Sequence, residues 1–180
     1  MNFVMQTERL KLRPFRVEDA PVLNRIANQE YVLKWMPDWR SSVEGTEKLI
    51  EWLVPQYPLA NKSTARVVFA VELQGSVIGM VGIGNKAEVD NEIEIAYFIS
   101  ESHAGKGYIT EAAKAAAHWA LDNLKMDYLI AIVELDNYPS QRVVEKVGFE
   151  KIDTRMILNS GESEEKPFFY YRLYSNDIPE

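Results

Sequence analysis

The chain has 180 residues, 47% apolar, 11% aromatic and 26% charged, with no cysteine and a net charge of −7. Folding at that length buries about 70% of the unfolded chain's surface, so one full core and a single domain over residues 1–180 are expected. Disorder, a disulfide scaffold, a thiolate metal site and a cysteine nucleophile are excluded by that composition.

Along the chain, residues 8–15 read as a strand in which Leu10 and Leu12 alternate with Arg9, Lys11 and Arg13. Glu18-Asp19-Ala20-Pro21 starts a helix with apolar face Val22, Leu23, Ile26 and Ala27. Residues 31–40 hold Trp35, Met36, Pro37 and Trp39 without a period and read as a loop. Ser42 caps a second helix, with Leu49, Ile50, Trp52 and Leu53 on its apolar face and Pro55 ending it. Strands at 67–73 and 77–83 form a hairpin around Gln74-Gly75-Ser76, and a third strand covers 92–99. An alanine-rich helix follows over 110–124, then a strand at 128–134 and a helix at 138–147 closed by Gly148. Strands at 149–157 and 167–174 finish the chain, joined by a polar turn. The order predicts an α/β fold: a mixed, mostly antiparallel central sheet with flanking helices and at least one parallel crossover.

No apolar run approaches the roughly 20 residues of a membrane helix, and the first residues carry no signal-peptide pattern, so a cytoplasmic protein without membrane contact is expected. The acidic balance opposes non-specific nucleic-acid binding and slightly favours a cationic partner such as an amine. A monomer or a homodimer is equally compatible with the sequence.

Three places carry candidate chemistry. Gly105-Lys106-Gly107 sits between a strand and a helix, where unpaired amides and the helix dipole suit a phosphate. A plain tight turn has the same pattern; neither a Walker loop nor a Rossmann fingerprint is present. Asn137 and Ser140 stand at a helix start, as caps or as ligand-facing groups, the serine as a proton donor. Glu92 and Glu94 share one strand face, as solvated charges or with one of them as a base of raised pKa. His103 flanks the glycine loop and could touch a phosphate; His118 reads as a packing or surface residue. Two isolated histidines predict no zinc site.

The loop Gly105-Lys106-Gly107-Tyr108, the helix start Thr110-Glu111-Ala112, Asn137-x-x-Ser140 and Glu145-Lys146-Val147-Gly148-Phe149 occur in an order that resembles the GNAT superfamily of N-acetyltransferases. The opening Thr7-Glu8-Arg9-Leu10-Lys11-Leu12-Arg13-Pro14-Phe15 and the strand motif Glu94-Ile95-Ala96-Tyr97 resemble its RimJ/RimL branch. The resemblance covers about residues 7–174. It implies a GNAT-like acyl-CoA N-acyltransferase fold and direct transfer of an acetyl group from acetyl-CoA to a primary amine. It places pantetheine beside Phe98 and Ile99, and the diphosphate on Ala104, Gly105, Lys106, Gly107, Tyr108, Ile109 and Thr110. Asn137 would bond the pantetheine, and Ser140 would protonate the departing thiolate. Elsewhere in the superfamily a tyrosine does that from the position before the Glu-Lys pair, which here is Val144. The family loop commonly starts with Arg, Gln or Trp and ends in Gly or Ala; here Ala104 and Ile109 stand there, and Ile109 adds bulk near the phosphates.

Glu94 is the expected base and Glu92 its rival. The acceptor is expected to be a protein N-terminal α-amine or a small amine, met by residues 30–39 and the final hairpin, with Trp35, Trp39 and Phe168 as pocket walls. A non-catalytic acyl-CoA-binding or regulatory module on the same fold, and a nucleotide-binding regulatory domain, are the competing expectations.

Overall fold

The computed structural model of the protein describes residues 2–159 and 162–175. Its strands are β1 (Met5–Gln6), β2 (Lys11–Pro14), β3 (Arg66–Leu73), β4 (Ser76–Lys86), β5 (Glu92–Ile99), β6 (Tyr128–Glu134), β7 (Glu150–Ile157) and β8 (Lys166–Tyr174). They form one sheet in the order β1-β2-β3-β4-β5-β6-β8-β7. Every neighbouring pair is antiparallel except β5 with β6. That parallel pair needs a crossover, and helix α4 (Tyr108–Leu124) supplies it.

Helices α1 (Ala20–Ala27), α2 (Glu30–Leu33) and α3 (Val43–Leu53) belong to one layer, where Leu23, Ile26, Val32 and Ile50 meet Ala70, Met80 and Phe98. α4 and α5 (Tyr138–Val147) belong to the other, packed with Ile83, Ile95, Ala131 and Val133. Ala112, Ala113, Ala116, Ala117 and Ala120 are buried along α4. Their small side chains let the helix axis lie close to the sheet, which fixes where its N-terminus points. Gln74 (φ +50°) and Gly75 (φ +83°) make the two-residue β3–β4 turn, both left-handed as the twist of a tight hairpin requires.

Four expectations need correction. Residues 8–10 are not strand: the Leu10 carbonyl accepts from the Thr7 amide at 2.9 Å and its hydroxyl at 3.1 Å, which closes a turn. That turn makes a short hairpin of β1 and β2, with Met5 opposite Leu12. Residues 31–40 contain α2 and a 3₁₀ turn at Pro37–Trp39, both too short to show a period. Trp52 is 51% exposed; the inward row of α3 is Thr46, Ile50 and Leu53, a spacing of four then three. α4 starts at Tyr108 rather than residue 110, because Gly107 at φ +81° forms its N-cap.

Candidate active site

A gap in the sheet organises the site. β5 pairs with β4 along its whole length, from Lys86↔Glu92 to Gly79↔Ile99, whereas its only register pair with β6 is Glu94↔Ile130. β6 is meanwhile held by β8 from Tyr128 to Glu134. The two parallel strands therefore part beyond Glu94, at their carboxyl ends. Gly79 is one cause. A Cβ there would strike the Phe98 carbonyl oxygen and lie 2.9 Å from Ile99 Cα, so only glycine lets the end of β5 lean this far onto β4.

The glycine loop lies at the mouth of that gap. Gly105 and Gly107 have φ of +73° and +81°, and no side chain caps the start of α4. The first amides of a 17-residue helix thus keep no side-chain acceptor, beside a backbone that glycine lets an anion approach. The Ala104 and Ile109 side chains pack against the main core, so the bulk of Ile109 is directed at apolar neighbours. The loop is braced from the N-terminal turn. Glu111 accepts from Thr7 Oγ1 (2.6 Å), the Arg9 amide (2.9 Å) and Arg9 Nε (2.7 Å), while an Arg9 terminal nitrogen donates to the Lys106 carbonyl at 3.1 Å. Arg9 also covers the Tyr108 ring at 4.5 Å. A first-turn carboxylate is thereby neutralised next to the uncapped amides. Lys106 is turned back onto the Ser102 carbonyl, and the His103 ring lies against Ser102 Oγ at 3.1 Å.

α5 enters from the other side of the gap. Asn137 is buried; its Oδ1 accepts from the Ser140 amide at 3.3 Å and its Nδ2 donates to Glu134 at 3.4 Å. The cap reading describes this side chain. The Ser140 hydroxyl lies 2.9 Å from the Tyr97 hydroxyl, which is also 3.2 Å from the Ser140 carbonyl. Burial holds the Tyr97 phenol well above its ordinary pKa. Val144, in the slot where the resembled superfamily carries tyrosine elsewhere, is core.

Glu92 and Glu94 share a face but not a setting. Glu92 accepts from Tyr128 (2.7 Å), Tyr170 (2.8 Å) and Arg172 (3.0 Å), with Arg155 at 3.7 Å. Its lone pairs are spent on these neighbours. Glu94 is half-buried where the strands part, and the Ile132 backbone amide donates to its carboxylate. Burial pushes its pKa up to about 7; Lys86 and that amide oppose the shift, Glu88 and Glu134 add to it. Glu134 is itself raised, first by burial. Carboxylates crowded at one gap discourage each other's ionisation.

Of the expected pocket walls, Trp39 packs edge-on against Phe98 at 4.9 Å between centroids, and Trp35 is partly exposed under Lys34. Phe168 is 2% exposed in a small cluster with Val89, Ile130, Ile157 and Tyr170, so it lines no open pocket. His118, on α4, has a lowered pKa from burial and lies away from the gap residues named above. Among the described residues no His, Cys, Asp and Glu side chains gather to hold a metal ion, and no helix is long and apolar enough to cross a membrane.

Gly79, Tyr97 and Arg9 are the residues that sequence reasoning left without a role. A glycine inside a strand signals close backbone approach, and strand alternation puts Tyr97 on the face opposite Glu94. The Arg9–Glu111 pairing spans 102 residues and has no local signal.

Comparison with known proteins agrees with this geometry. The acetyltransferase (GNAT) domain family matches residues 9–150. The uncharacterized N-acetyltransferase p20 of Bacillus licheniformis is 28% identical over 148 residues, 82% of each chain. Spermidine N(1)-acetyltransferase of Escherichia coli (strain K12) is 29% identical over 140 residues, 78% of this chain and 72% of its own. A solved structure of RimL, the ribosomal L7/L12 alpha-N-protein acetyltransferase in complex with coenzyme A, superposes with a TM-score of 0.81. It covers 97% of this chain and 99% of that one at 14% identity, a likeness of fold.

Proposed function

The chain belongs to the GNAT family of acetyl-CoA-dependent N-acetyltransferases, and we propose that its acceptor is an α-amine, with Glu94 as the base and Ser140 as the donor to the leaving sulfur. Acetyl-CoA supplies the activated acetyl group. The amides from Gly105 to Thr110 would hold its diphosphate, that of Ala104 being already given to the Glu101 carbonyl at 3.1 Å, and the free edge of β5 at Phe98 and Ile99 would hold its pantetheine.

The observation that carries the acceptor class is the Glu94 carboxyl poised at about 7 beside the gap. An attacking amine must first be neutral. Moving a proton from an α-ammonium of pKa about 7.8 to a base near 7 is uphill by about 0.8 units, or about 1 kcal/mol. From an alkyl ammonium near 10.4 it is uphill by about 3.4 units, or about 4.6 kcal/mol. Glu94 is matched to the first task, directly or through one water. Ser140 meets the leaving sulfur from α5. A thiol is the stronger acid, at a pKa of about 8.5, so the serine stabilises the thiolate by donating a hydrogen bond rather than by surrendering its proton.

Glu88 and Glu134 beside Glu94 favour a second reading, a polyamine drawn in by acidic walls; the named activity of the Escherichia coli relative is of that kind. Thiol release from acetyl-CoA, followed with short peptides bearing a free α-amine, with their N-blocked counterparts carrying one lysine, and with spermidine, separates them. Faster turnover of the free α-amines supports the proposal. Preference for spermidine replaces it with the second reading, and no release with any amine overturns both.

A further inference from the structure

The Tyr97 phenol faces two acceptors on one residue. It lies 2.9 Å from Ser140 Oγ and 3.2 Å from the Ser140 carbonyl oxygen, with a single proton to give. If that proton goes to the carbonyl, the serine hydroxyl donates back to the phenol and is spent. If it goes to Oγ, the serine's own proton is free for another acceptor. A nascent thiolate in the gap selects the second arrangement, because a chain of O–H groups aimed at one negative charge polarises in one direction.

The surroundings restrict Ser140 to this exchange. Its amide is fixed by the Asn137 cap, and the neighbouring helix position that could carry another phenol is the buried Val144. Tyr97 is three residues along β5 from the Glu94↔Ile130 pair, on the face packed by α4 and α5. Glu94 alternates to the other face. The sheet therefore separates a side that takes a proton from nitrogen and a side that receives sulfur. Burial keeps the phenol protonated across the working range, so its proton is always there to give.

We propose that Tyr97 is a positioning residue that turns the Ser140 hydroxyl into a donor aimed at the sulfur leaving through the strand gap; this rests on the acetyltransferase reading above. The lone pair of the neutral amine forms the bond from nitrogen to the acetyl carbonyl carbon, and as the carbon–sulfur bond then breaks, sulfur keeps that bond's electron pair. Ser140 O–H donates to it, and Tyr97 O–H donates to Ser140 Oγ. Neither residue is ionised; the neutral amine sheds one proton on becoming an amide, the equivalent of that proton ends on sulfur, and the proton Glu94 takes from the ammonium is a separate one.

The test is a double-mutant cycle of Tyr97→Phe and Ser140→Ala, with kcat and acetyl-CoA affinity measured separately. Tyr97→Phe keeps the ring and its packing. It should lower kcat about tenfold with acetyl-CoA affinity unchanged, and have less than a twofold effect once Ser140 is alanine. Wild-type kcat in Tyr97→Phe, an undiminished loss in the Ser140→Ala background, or a loss of affinity alone would overturn the inference. Should Tyr97→Phe fail to fold, fluorotyrosine at position 97 keeps the shape and makes the phenol a stronger donor. A kcat rise that depends on Ser140 supports the inference; no rise, or one that survives Ser140→Ala, overturns it. A wild-type protein that releases no thiol with any amine instead defeats the acetyltransferase reading, and the inference with it.

Discussion

The first and third residues of β5, Glu92 and Glu94, are carboxylates on one face, and they have opposite fates. At the Glu92 end the strand has neighbours whose side chains converge: two phenols and a guanidinium saturate the carboxylate, and Arg155 stacks on the Tyr170 ring at 3.4 Å. At Glu94 β6 is in register through Ile130 and parts beyond it, and the Ile132 backbone amide donates to the carboxylate. Equal chemistry on one face thus becomes a clamp in one place and a carboxyl of raised pKa in the other. What differs is which side chains the neighbouring strands bring to each carboxylate.

Substitution of the two residues in parallel should break the symmetry of the sequence most plainly. Glu94→Gln is expected to lower kcat/KM by about 10²-fold or more, whereas Glu92→Gln should stay within about threefold of wild type in steady-state assays. A comparable loss in both would make the pair equivalent and erase the distinction. Gly79→Ala should sharpen it from the backbone side. The added methyl group pushes the end of β5 off β4 and into the gap, so coenzyme A affinity by calorimetry should fall about tenfold while the Glu92 cluster is untouched. Stability should reverse the ranking of the carboxylates. Glu92→Gln weakens a network whose carboxylate is 13% exposed and should cost about 2 kcal/mol in denaturant unfolding.

The pH dependence of stability tells the two carboxylates apart without an assay of activity. The Glu94 pKa stands at about 7 in the fold against an ordinary 4.5, so between those values the folded protein keeps a proton that the unfolded chain has lost. Wild-type stability should therefore decline as pH rises through that window. Glu94→Gln should match the wild type below pH 4.5 and exceed it above 7, read as a difference in Tm.

The sequence disclosed most of the elements that frame the site, because each has a local cause. Asn137 and Gly148 bracket α5, Gly75 marks the hairpin, and alternation outlines β5 from Glu92 to Ile99. It disclosed less of what those elements do to each other. Nothing local says that Glu92 meets Tyr170 from a strand 78 residues away, or that the Tyr97 hydroxyl reaches Ser140. The start of α4 lies two residues ahead of the alanine pattern for a related reason: the left-handed Gly107 turns the chain into the helix before that pattern begins. Ile109, read as bulk beside the phosphates, finds its place only when the core beneath the loop is known.

The pH dependence of kcat/KM for thiol release, measured on wild type and Glu94→Gln with one α-amine acceptor, bears most directly on the proposal that a carboxyl at the parting of two strands takes the proton from the attacking amine. The account predicts a wild-type acid limb with an inflection near 7 that gives way in the glutamine variant to the acceptor's own titration near about 7.8. The same limb in both proteins would contradict it.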